Sequence, residues 1–172
     1  PRAYINPKLQ SQLGCAGGEH VTLLGHMNYT PSERDQGTCG NCWAWAGTGI
    51  LEIALDSQLG IKDRLSMQYL NSKFNNGKGS NWSCCGGWLE DLTGFYNASK
   101  ILIPWSNGNA RWQDRYKSCG MESNVSADSI SVDPHYTLKS LQAVTIPTWG
   151  VEKEEAIANI KNVLGQGKGV WF

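Results

Sequence analysis

Asp35-Gln36-Gly37-Thr38-Cys39-Gly40-Asn41-Cys42-Trp43-Ala44-Trp45-Ala46 is the stretch on which the reading of this chain turns. Glycines break the loop ahead of Cys42, and beyond it Trp43, Ala46, Ile50, Ile53 and Ala54 recur at three- and four-residue steps until Gly60 stands at a C-cap position. The spacing predicts a helix over 43–59 with Cys42 at its N-terminus. There the unpaired backbone N–H groups and the helix dipole favour a thiolate over a thiol. A thiolate is the nucleophile that acyl transfer requires. Gln36, six residues earlier across a tight turn, can fold back and offer its amide N–H to a developing oxyanion. One loop then supplies both nucleophile and oxyanion hole.

Outward from this loop, the chain divides into an extended arm over 1–27, a helical part with the nucleophile over 28–125, and the start of a β-rich part over 126–172. The arm holds Pro1, Pro7, Gly14, Gly17, Gly18 and Gly25 without periodicity, with one short strand expected at Val21 to Leu24. Ser66 followed by Met67, Tyr69 and Leu70 predicts an N-capped second helix, which Asn75, Asn76, Gly77 and Gly79 end. A third is expected over Trp88 to Ala98. Strands are expected at Ile130 to Val132 and Leu141 to Ile146. Glu152, Glu154 and Glu155 open an amphipathic helix with Ala156, Ile157, Ile160, Val163 and Leu164 as its apolar stripe. Val170-Trp171-Phe172 reads as the opening of a buried strand. Helices first and strands later indicate an α+β fold.

Composition narrows the function classes. The 172 residues are 40% apolar, enough for one sizeable core. Fifteen basic against 15 acidic residues leave a net charge of +0, with no excess to pull the chain onto nucleic acid or an anionic bilayer. No apolar run approaches the roughly 18 residues that cross a membrane, and no leader is read ahead of Pro1. Six cysteines, at 15, 39, 42, 84, 85 and 119, cluster around glycines rather than inside apolar runs. N-x-S/T sequons at Asn28, Asn81, Asn97 and Asn124 suit an extracytoplasmic protein, secreted or in a lysosomal-type compartment.

The Gln36 to Ala46 stretch closely resembles the active-site loop of the papain-like cysteine peptidases, Q-G-x-C-G-x-C-W-A. Asn41 stands where Ser or Ala is usual, and Trp45 where Phe is. Glu52, the run Leu65-Ser66-Met67-Gln68 and the turn Cys84-Cys85-Gly86-Gly87 extend the likeness over about residues 28–98. The resemblance implies a two-subdomain α+β fold with the helical subdomain complete and the β-barrel only partly supplied. It implies Cys42 as nucleophile, with Gln36 and the Cys42 N–H as oxyanion hole. It also implies a Cys39–Cys84 disulfide, and an extended substrate pairing with Gly87 beside Gly86 and Trp43, its apolar side chain against Trp88 and Leu89. Lys73 stands near where the family's second bridge has its first cysteine, so Cys119 needs another partner, and Cys85 is the nearest candidate.

The family's catalytic His lies about 130 to 150 residues after the nucleophile, which from Cys42 means roughly position 172 or later. His20, His26 and His135 read as surface histidines, so a complementary C-terminal chain is expected to bring the catalytic His and Asn. The activity implied is cysteine endopeptidase, without cofactor or metal. Two other classes compete. A catalytically silent peptide-binding module would keep the cleft and lose the chemistry. A thiol–disulfide redox protein would use Cys39 and Cys42 as a C-x-x-C pair, but polar residues and Pro31 occupy the place of the strand that such motifs follow. A zinc site from Cys15, His20, His26 and the C-x-x-C matches no closed-site spacing.

Overall fold

The computed structural model describes residues 22–28 and 34–171. Its longest element is helix α1, Cys42–Leu59, closed by Gly60 in the left-handed conformation with its N–H on the carbonyls of Asp56 and Leu55. α2 spans Met67–Lys73, and the Ser66 hydroxyl accepts from the Tyr69 N–H as the cap. It runs into a 3-10 turn, Phe74–Gly77, in which Asn75 and Asn76 both take positive φ and stop the helix. α3 spans Leu89–Ser99, one residue later than the sequence suggests at its start. Trp88 is the cap and donates its N–H to the Asp91 carboxylate at 2.8 Å. α4 spans Lys153–Gly165.

The core forms where α1, α2 and α3 meet. Trp43, Leu51, Leu55, Leu65, Met67, Leu70, Leu92 and Tyr96 are its buried centre. α1 and α3 approach closely because residue 47 is glycine: a Cβ there would lie 2.5 Å from the Leu92 side chain. Arg34 reaches the buried Glu52, whose other oxygen accepts from the Leu65 N–H at 2.9 Å. A charge pair out of water is held only when such hydrogen bonds complete it, so this pair fixes the approach to the loop at 35–41 onto α1. Two disulfides, Cys39–Cys84 and Cys85–Cys119, pin the remaining loops.

The back half departs from expectation. Ile130 to Val132 and Leu141 to Ile146 are irregular, and the described residues hold one antiparallel sheet, β1 (Ile101–Leu102) with β2 (Tyr136–Thr137). Ile130 is instead a single buried core residue and Leu141 a partner of the Asn97 carboxamide, so these apolar residues are spent on packing and side-chain anchoring rather than on a ladder. Leu24–His26 form a 3-10 turn where a strand was expected, with Val21 outside the described residues. Val170 and Trp171 are irregular too, and Phe172 lies outside the described residues. α4 forms, but Ile157 of its stripe is 42% exposed while Asn159 and Asn162 are the buried residues. Helices with one small sheet are consistent with an α+β fold of the papain-like kind. Among the described residues no helix is long and apolar enough to cross a membrane.

Candidate active site

Cys42 is the free cysteine among the described residues and is exposed at the first position of α1. The loop ahead of it is shaped by main-chain contacts. Thr38 donates its N–H to the Arg115 carbonyl at 2.8 Å, and Gly37, at φ +68, lies so close to the same carbonyl that a Cβ would collide with it. The Gln36 side-chain amide donates to the Cys39 carbonyl at 2.8 Å. A primary amide has two N–H groups, so this bond fixes the side chain with one of them.

The turn at 84–87 runs beside this loop. The Gly40 N–H donates to the Cys84 carbonyl at 3.2 Å, a parallel bridge pairs Gly40 with Cys85, and the Cys39–Cys84 disulfide crosses beneath. Gly87 lies flat on the Trp43 indole, where a Cβ would come within 2.5 Å of the ring. Trp43 is itself held by its indole N–H on the Ser83 carbonyl at 3.0 Å and by edge contact with Phe74 at 5.4 Å between ring centres. The two segments that the sequence singles out are thus brought together.

A surface depression of about 680 Å³ adjoins the turn, lined by Gly86, Gly87 and Trp88 with Phe74, Asn75, Ser80, Asn81, Cys85 and Asp91. Trp88, 72% exposed, stands on its rim, while Leu89 packs toward the core. The lining is more polar than an apolar pocket built by Trp88 and Leu89 would be.

Asn71 is the residue that sequence reading misses. Its side-chain oxygen accepts from Asn41 at 3.2 Å and from the Ser83 hydroxyl, and its amide donates to Asp114 at 2.7 Å. Asp114, fully buried, also accepts from Gln68 and Ser123 and from the Asn124 N–H. Every residue of this cluster is of a type usually found at the surface, so no periodicity or motif marks it. It ties the 35–41 loop, α2, the 84–87 turn and the 113–124 loop together.

The two described histidines have partners of their own. His26 is half-buried rather than a free surface residue, with Nδ1 2.8 Å from an Asp56 carboxylate oxygen. Asp56 follows Cys42 by fourteen residues along α1, about 21 Å at 1.5 Å per residue, so this pair does not reach the thiol. His135 is exposed and lies 3.0 Å from the Val132 carbonyl of its own loop. His20 and Cys15 lie outside the described residues, and no cluster of metal-ligating side chains occurs among those described.

Comparison with known proteins places these features in context. The family described as papain family cysteine protease matches residues 24–143. Cathepsin L 2 of Paramecium tetraurelia is 42% identical over 60 residues, 35% of this chain and 18% of that protein. Cathepsin J of Rattus norvegicus is 36% identical over 81 residues, 45% of this chain and 24% of that protein. Gamete and mating-type specific protein A of Dictyostelium discoideum is 32% identical over 104 residues, 60% of this chain and 21% of that protein. The matched stretch spans about a fifth of the length of these relatives. No solved structure matches the chain.

Proposed function

The chain belongs to the papain family of cysteine proteases, and from that premise we propose that it hydrolyses internal peptide bonds through a thioester on Cys42. The observation that carries this reading is the state of the thiols. Cys42 is free and exposed at the start of α1, while Cys39 is engaged with Cys84. A redox dithiol of Cys39 and Cys42 needs both sulfurs, and one is already bonded elsewhere. Cys42 attacks the scissile carbonyl, and its backbone N–H with the second amide N–H of Gln36 receives the oxyanion. The substrate lies extended along Gly86 and Gly87 and sets an apolar side chain, second from the scissile bond on its N-terminal side, against Trp88.

The catalytic His and its orienting Asn come from a complementary C-terminal chain or segment beyond these 172 residues. The distance of the His26–Asp56 pair from Cys42 supports this, as do the exposed apolar residues Trp149 and Ile157, which offer that part a surface to pack on. Mass analysis of the purified active protein checks it: sequence carrying a His and an Asn is expected with this chain, and full turnover by these residues alone would exclude it. Two disulfides suit an oxidising, extracytoplasmic compartment.

Labelling with an electrophilic peptide tests the chemistry. Rapid, saturable modification of Cys42 is expected. A peptide-binding module without catalysis would bind the peptide and leave the thiol unmodified.

A further inference from the structure

Asn41 occupies the N-cap of α1 without capping it. Asn ranks among the strongest N-cap residues because its side-chain oxygen accepts from the second or third N–H of the helix. Here the side chain makes no such bond. It is fully buried, its amide donates to Asn71 at 3.2 Å, and its oxygen has no partner among the described residues. A buried acceptor left unpaired costs free energy that the ordinary cap would have recovered. Something holds the side chain away from the helix end.

The donor–acceptor order along the buried cluster identifies what holds it. Asp114 accepts from the Asn71 amide, so the Asn71 oxygen must face the other way, where the Ser83 hydroxyl and Asn41 lie. An oxygen can only accept, so Asn41 must present its amide, and its own oxygen is turned from the helix. At the start of α1 the Asn41 carbonyl accepts from Ala44 and Trp45, at 3.0 and 3.1 Å. The N–H groups of Cys42 and Trp43 have no acceptor among the described residues.

We propose that Asn71 is a positioning residue for Cys42: it withdraws Asn41 from the helix cap and so leaves the Trp43 N–H, next to the Cys42 N–H that receives the oxyanion, unpaired at the positive end of α1, where it favours the negative charge formed in acyl transfer. The proposal rests on the peptidase reading above.

The test uses the full mature protein and the variants Asn71→Ala and Asn71→Ala/Asn41→Ala. Asn71→Ala releases Asn41, and kcat on a peptide substrate is expected to fall roughly tenfold with KM unchanged, less than the 10²–10³ of an oxyanion donor removed outright. The double variant has no side chain left to cap, and most of the lost kcat should return. General loosening of the fold would not be repaired by deleting a second buried side chain. A crystal structure of Asn71→Ala should show the Asn41 oxygen on the Trp43 N–H. Should Asn71→Ala fail to fold, Asn71→Ser serves in both places. An unchanged kcat in the single variant, a double variant no faster than the single, or an Asn41 side chain that has not moved overturns the proposal. If the unmutated protein cleaves no peptide, the peptidase reading falls, and the crystal structure alone still decides what Asn71 does to Asn41.

Discussion

If Cys42 is the nucleophile proposed above, two demands meet in one residue: the thiol must be exposed to substrate while the backbone beneath it is rigid. The helix start supplies the first and the bond from Gln36 to the Cys39 carbonyl contributes to the second. Cys42→Ala should abolish peptide hydrolysis with an unchanged melting temperature, and turnover persisting in that variant would remove Cys42 from the chemistry. Gln36→Ala should lower kcat by 10²–10³, about 2.7 to 4 kcal/mol, which steady-state kinetics on one substrate will show. Gly87→Ala should act differently. Its Cβ would press on the Trp43 ring at 2.5 Å, so about 1–3 kcal/mol of stability should be lost to overpacking. KM should rise as the strand-like edge moves, and a variant with native KM and stability would show that the turn yields freely.

Among the elements, those settled by neighbours in the chain were legible and those settled by distant partners were not. α1 follows from its apolar spacing and Gly60, and α2 from Ser66, because helices and caps are local. β1 and β2 are two residues each, and their pairing joins positions 34 and 36 apart. No alternation over so short a run announces it. The pairing is anchored from outside the sheet by the Tyr136 hydroxyl, which donates to Asp63 at 2.6 Å. Burial, then the hydrogen bond and charge of Asp63, push the Tyr136 phenol up to about 12 from 10.0. A raised value in the folded state gives stability that is complete below pH 10 and is lost as pH climbs toward about 12. Tyr96, shifted the same way by burial in the core, adds to the loss. Urea unfolding between pH 9 and 12 should therefore show falling stability in the native protein and a flatter profile in Tyr136→Phe; identical slopes would detach Tyr136 from the alkaline limb.

For the molecule as a whole, the thiol, the amide and the glycine turn of the candidate site could be picked out in the sequence, since each sits in a motif with fixed spacing. The buried cluster of Asn71 and Asp114 was not, because Asn and Asp in the sequence look like solvent-facing residues until packing places them inside. The two disulfides lock that packing across separations of 45 and 34 residues. Closing a loop of such length is worth about 4 kcal/mol on a chain-entropy argument, so replacing Cys85 and Cys119 together by Ser should cost a few kcal/mol in denaturant unfolding, and an unchanged midpoint would show that the loop at 113–124 holds without its bridge. The order of the four sulfurs has a further effect. One bridge closes the span 39–84 and the next begins at 85, so the two rings lie end to end and meet at a single peptide bond. A protease that nicks the chain once anywhere inside either ring leaves both fragments covalently joined, and the nicked protein migrates as one species until reductant is added. The Cys84–Cys85 bond is the exception: cut there, the chain parts into two pieces that each keep a closed ring and share no covalent link.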